Sequence, residues 1–130
     1  MRLDTSTRKL QAVLGGAVAT TQPDVVVSYR DEITTTQAQI RSGGATAVIA
    51  MNSATAVDIC AAPVQQQTIR VIEFISVRNN DTASIDLTVR YNDNATIYKI
   101  LTVTILTGES FFYTETAGPF CMDANGNRKE

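Results

Sequence analysis

A chain that performs a reaction needs groups that can move protons, attack an electrophile or hold a metal, and the choice here is narrow. Histidine is absent, which removes the commonest general base and the commonest metal ligand. The remaining nucleophiles are Cys60, Cys121 and the hydroxyls of Ser and Thr, and without histidine each would need a Lys or a carboxylate as its base. No spacing singles out such a pair; Asp31-Glu32 sits where a strand would end, the ordinary place for solvated charge. Cys60 and Cys121 are too few for a disulfide scaffold and have no zinc spacing. They read as two small buried thiols, or as one bridge if their strands meet. Asp123-Ala124-Asn125-Gly126-Asn127 has the composition of a calcium loop, but an EF-hand needs Gly at its sixth position and a bidentate Glu at its twelfth. Here Gly is fourth and residue 130 ends the sequence, so the string reads as a turn, as do Asn79-Asn80-Asp81 and Asn92-Asp93-Asn94. Asn80-Asp81-Thr82 and Asn94-Ala95-Thr96 fit the glycosylation pattern, which is idle outside a secretory route. These residues predict no enzyme, no cofactor and no metal site.

Charge adds little. Eleven basic residues stand against thirteen acidic ones, a net charge of -2, and the basic residues are scattered, so no case for nucleic acid arises. No run approaches the roughly 20 apolar residues of a membrane-spanning helix. Met1-Arg2-Leu3-Asp4 leads into a polar stretch in place of an apolar signal region. The expectation is a chain made in the cytoplasm that remains soluble or joins an assembly. At 130 residues it has the length of one domain with a core of its own.

The elements that must position any site are strands. Ser84-Ile85-Asp86-Leu87-Thr88-Val89-Arg90-Tyr91 alternates strictly, one face apolar and one polar. Ile69 to Arg78, Ala95 to Leu106 and Ser110 to Thr114 are similarly rich in Val, Ile, Thr, Phe and Tyr and bounded by polar turns, the pattern of an antiparallel meander. Val25 to Tyr29 is a short strand, Ile33 to Gln39 an ambiguous edge strand, and Arg41-Ser42-Gly43-Gly44 a turn or loop. Ala45 to Met51 and Ala54 to Cys60 suggest a hairpin across Asn52-Ser53. Residues 3–14 are the one expected helix, because Leu3, Leu10, Val13 and Leu14 fall on one stripe of period 3.6, with Asp4, Thr5 or Ser6 as cap and Gly15-Gly16 as stop. The expected architecture is all-β: an antiparallel, jelly-roll-like sandwich over 25–130, preceded by an N-terminal helix or arm and connector over 1–24.

Two strands break the alternation. Ile72 and Phe74 oppose Val71, Ile75 and Val77, and Ile97 to Leu106 shows apolar residues on both faces. Either a bulge or a covering N-terminal helix explains this, or the second face is exposed apolar area that meets a partner. The expected partner-interface residues are therefore Leu3, Leu10, Val13, Leu14, Ile72, Phe74, Tyr98 and Ile100.

Arg2 to Leu14, Val57-Asp58-Ile59-Cys60-Ala61-Ala62-Pro63, Val89-Arg90-Tyr91-Asn92-Asp93-Asn94 and Asp123 to Asn127 together resemble small virion structural proteins of tailed bacteriophages. The resemblance implies a sandwich that forms a homo-oligomer, a dimer or trimer, and sits on the capsid surface as a decoration or cement protein bound to the major capsid protein. The alternative it leaves open is a head–tail, tail-tip or head-surface module that binds a host receptor or glycan.

Overall fold

The computed structural model describes residues 1–33, 41–46 as backbone, 51–64 and 67–129. Among the described residues there are eleven strands: β1 Arg2–Leu3, β2 Arg8–Leu14, β3 Asp24–Ile33, β4 Arg41–Thr46, β5 Val57–Cys60, β6 Thr68–Arg78, β7 Ile85–Asp93, β8 Thr96–Ile105, β9 Ser110–Thr114, β10 Gly118–Met122 and β11 Arg128–Lys129. They form two antiparallel sheets. The larger runs β11-β10-β9-β6-β3-β4, with β1 beside β6, and the smaller runs β5-β2-β7-β8. Leu10, Ala12, Leu14, Ile59, Leu87, Val89 and Ile105 from the smaller sheet meet Leu3, Val25, Val27, Ile72, Ile75, Val77 and Phe111 from the larger one in a single apolar cluster. The molecule is thus a β-sandwich, each sheet burying the face the other cannot cover alone. The pairing shows the sandwich and not the jelly-roll connectivity expected within it.

The expected helix over 3–14 is absent, and among the described residues there is no helix. The same leucines fit period 2 as well: Leu10, Ala12 and Leu14 all point into the core, and Arg8-Lys9-Leu10-Gln11-Ala12-Val13-Leu14 pairs with β7 over its whole length, from Arg8↔Asp93 to Leu14↔Leu87. A short helix gains little in water, whereas a strand between β5 and β7 satisfies its backbone on both sides. Residues 1–14 are consequently part of both sheets and not an arm, since β1 joins the larger sheet through Arg2↔Val71 and Leu3↔Arg70. The N-terminal ammonium donates to the Tyr113 hydroxyl, and Ile72 N–H donates to Met1 C=O.

The expected loop at 41–44 is also a strand, β4, which pairs with β3 from Val27↔Thr46 to Glu32↔Arg41. Val57–Cys60 pairs with β2, and Ala45 and Thr46 of the expected hairpin pair with β3; residues 47–50 of that expectation lie outside the described residues, as do 34–39 of the expected edge strand. Ile72 and Phe74 owe their switch of face to a bulge. Ser28 pairs with Phe74 and Tyr29 with Ile72, so Glu73 is the extra residue, Ile72 turns inward and Phe74 outward.

Candidate interaction surface

The expected interface residues divide sharply. Leu3, Leu10 and Ile72 are fully buried and Leu14 nearly so; they belong to the core and are corrected from interface to packing. Val13 and Phe74 are half-buried. Tyr98 and Ile100 are exposed at 51% and 36%, and they lie on one strand, β8, together with Ile97.

β8 is the outermost strand of the smaller sheet. It pairs with β7 through Ile85↔Ile105, Leu87↔Val103, Thr88↔Thr102 and Val89↔Leu101, then skips a residue before Arg90↔Lys99, Tyr91↔Tyr98 and Asn92↔Ile97. Ile100 is therefore a bulge. Among the described residues no strand pairs with the other edge of β8, so its outward N–H and C=O groups have no ladder partner there. Ile97, Tyr98, Ile100 and, just past the strand, Leu106 are large apolar side chains that stay exposed, divided between the two faces of this edge strand. Beneath it a groove of ≈ 220 Å³ opens between the sheets, walled by Leu101 and Val103 of β8 and by Phe111, Pro119, Phe120 and Cys121 of β9 and β10.

A second apolar feature lies on the outer face of the larger sheet. Phe74, Phe112 and Phe120, on adjacent strands β6, β9 and β10, form a diagonal ladder with ring centroids 6.0 Å and 5.6 Å apart. The Arg128 guanidinium sits 4.8 Å from the Phe120 ring centre, a favourable cation–π geometry. All three rings are half-buried.

Charged groups are engaged in holding the frame. Arg70, 8% exposed, donates to both carboxylate oxygens of Asp31 (2.7 and 3.0 Å) and to Ala61 C=O (2.9 Å), with its guanidinium 4.1 Å from the Tyr29 ring centre. Arg30 spans Glu32, Glu73 and Glu115 across the outer face of the larger sheet. Lys129 bonds Glu109, joining β11 to the turn before β9. Asp81, read from sequence only as a turn residue, is 1% exposed. It accepts N–H donors from Ala19, Thr20 and Thr82 and the Thr20 hydroxyl at 2.7–2.9 Å, pinning the connector between β2 and β3. Although burial opposes ionisation, those donors hold its carboxyl well below the ordinary range. Asn79 beside it is fully buried and donates to Ala83 C=O and Ile105 C=O, each at 2.9 Å.

The thiols do not pair. Burial pushes Cys60 up to about 11, and burial also raises Cys121, the direction opposite to that of an activated thiol. Among the described residues no group of His, Cys, Asp and Glu side chains is arranged to hold a metal ion, and no helix is long and apolar enough to cross a membrane. Asp123 to Asn127 form the expected turn: Asp123 accepts from the N–H of Asn125 and Asn127, and Gly126 takes φ +85°. No protein family, no characterised protein and no solved structure matches the chain.

Sequence reasoning missed Phe112, Phe120, Ile97 and Leu106 as surface groups. The signal for Ile97 was present in its alternation with Tyr98 across an edge; that for the Phe ladder was not, because it depends on which strands become neighbours.

Proposed function

We propose that this chain is a structural virion protein of a tailed phage, a decoration or cement protein that binds the major capsid protein on the head surface and stabilises neighbouring capsomers. The observation that carries the reading is the exposed apolar edge of β8 on a sandwich in which Arg8, Lys9, Arg30, Arg70 and Lys129 are tied to carboxylates. Such a module presents a fixed surface for association, and the phage-protein resemblance supplies the setting. A virion station also suits weak contacts, because many symmetric copies sum modest energies into firm attachment.

The test is to mix purified protein with heads of the encoding phage that lack it, then measure co-sedimentation and the temperature at which DNA escapes. Saturable binding with a raised release temperature is expected. Heads that sediment without the protein at tens of micromolar, and release DNA at an unchanged temperature, would count against the reading.

The Phe74-Phe112-Phe120 ladder favours a second reading, a head-surface or tail module that binds a host glycan or receptor, since aromatic faces on the outside of a sheet can stack on sugar rings. Binding on a glycan array that is lost in Phe112→Ser would support it; no binding to any glycan would remove it.

A further inference from the structure

We infer that β8 is the contact between two copies of this chain, joined antiparallel about a two-fold axis through Thr102, so that the two four-stranded sheets become one continuous sheet. The inference concerns free protein and does not need the capsid reading. Failure to bind heads would leave it standing, and a monomer in solution would leave head binding standing.

Among the described residues no strand pairs with the outer edge of β8. Natural proteins guard such edges with charge, proline or bulges; β8 has no proline, one charge at Lys99 and one bulge at Ile100. An antiparallel partner must place inward residues opposite inward residues, because a slip of one residue reverses every side chain. Pairing with β7 sets the faces of β8. Leu101, Val103 and Ile105 face inward; Thr102 and Thr104 face outward; beyond the bulge Tyr98 lies inward beside Tyr91, and Ile97 and Lys99 lie outward beside Asn92 and Arg90.

An axis through Thr102 satisfies this rule along the whole strand. Thr102 meets Thr102 of the second copy, Leu101 meets Val103, and the bulged pair Lys99-Ile100 spans Thr104. Tyr98 then covers Ile105, and Ile97 meets Leu106. The two exposed aliphatic side chains at opposite ends of the edge, 43% and 49% exposed, thereby find each other. Moving the axis to Leu101 sets Ile97 opposite Thr104 and leaves Leu106 beyond the paired length; moving it to Val103 leaves Ile97 without an apolar partner. Charge agrees as well. Lys99 arrives beside Thr104, whose hydroxyl donates to Asp86 at 2.6 Å, so the one cation of the strand approaches a carboxylate of the other copy. The added strand also lies beside the groove walled by Leu101, Val103, Pro119 and Cys121. The strand thus complements itself in face, in apolar groups and in charge, which is the requirement of a two-fold contact.

The test uses the full chain without heads. Sedimentation equilibrium of the wild type should give twice 14.1 kDa at tens of micromolar. Thr102→Glu and Thr102→Lys each set like charges against themselves across the axis, where paired Cα atoms lie about 4.5–5.5 Å apart. Each should weaken self-association at least tenfold with an unchanged far-ultraviolet spectrum, while an equimolar mixture of the two should dimerise again. A wild type that stays at 14.1 kDa, or Glu and Lys variants that associate as the wild type does, would overturn the inference. If either variant fails to fold, Thr102→Cys decides. Oxidation should link it into covalent dimers, because that separation suits a disulfide, and oxidised protein that stays monomeric overturns the contact.

Discussion

β2 and β8 flank the same strand, β7, yet one is sealed and the other open. β2 lies between β5 and β7 and buries Leu10, Ala12 and Leu14, whereas β8 has a ladder on one side only and exposes Ile97, Tyr98 and Ile100. Their compositions do not announce this. Both are rich in aliphatic residues, and both contributed residues to the expected interface. What differs is position in the sheet: an interior strand spends its apolar face on the core, while an edge strand has side chains left over. Hydrophobic pattern alone therefore does not say which strand a partner can reach; sheet order does.

The contrast can be broken most forcefully at Leu10. Leu10→Ala should cost about 2–5 kcal/mol, because a fully enclosed side chain leaves a cavity, whereas Ile97→Ala should lie within about 0.5 kcal/mol of wild type in protein held monomeric, as surface substitutions do. Urea unfolding of the two variants measures both. Equal losses would mean that β2 and β8 are not distinguished by burial as described. Removal of residues 1–14 should abolish folding altogether, since it takes out the strand between β5 and β7 and the pairing of β1 with β6.

A smaller effect separates the two ends of the sandwich by pH. Asp81 is held ionised by the N–H groups of Ala19, Thr20 and Thr82, and its carboxyl titrates below the ordinary range. A carboxyl depressed in the folded state stabilises above its unfolded value, near 3.9, and that stability is lost as pH falls towards the folded value. Asp58, Asp93, Glu109 and Asp123 are shifted the same way, so the wild type should weaken steadily through acid. Asp81→Asn should start less stable at pH 7 and lose less on going to pH 3, taking up about one proton fewer on unfolding. An acid limb identical to that of the wild type would show that the connector is not pinned by this charge.

Much of this frame was legible. β7 follows from the strict alternation of Ile85 to Tyr91. The clash of Ile72 and Phe74 with Ile75 and Val77 marked an irregularity in β6, but a bulge, a covering helix and an exposed face all fitted it, and the register with β3 decides for the bulge. β2 was not legible, because leucines at 3, 10 and 14 satisfy a helical stripe and a strand's alternation equally well, and only the arrival of β5 and β7 on its two sides decides between them. β4 was hidden by Gly43 and Gly44, which read as a turn. The surface was legible in half: Tyr98 and Ile100 were recognised on β8, but Leu3, Leu10, Leu14 and Ile72 went to the core, since exposure depends on pairings far apart in the chain. The Phe ladder belongs to the same class of hidden feature, with Phe74 and Phe112 brought together through Ser76↔Phe112.

The smallest effect lies at the turn that launches β8. Asp93 pairs with Thr96, leaving Asn94 and Ala95 as a two-residue loop with φ of 49° and 71°. Those values suit the primed turn that matches the twist of a hairpin. Asn tolerates the left-handed region; alanine pays a steric penalty there that glycine does not. Ala95→Gly should therefore stabilise the protein by about 0.5–1 kcal/mol, against the usual loss from added backbone freedom. A lower urea midpoint would mean that the penalty at Ala95 is smaller than the entropy glycine adds. A higher midpoint combined with unchanged self-association would show that β8 is held in register by its own ladder with β7 and not by the turn, so that the edge offered to a second copy is set before the two copies meet.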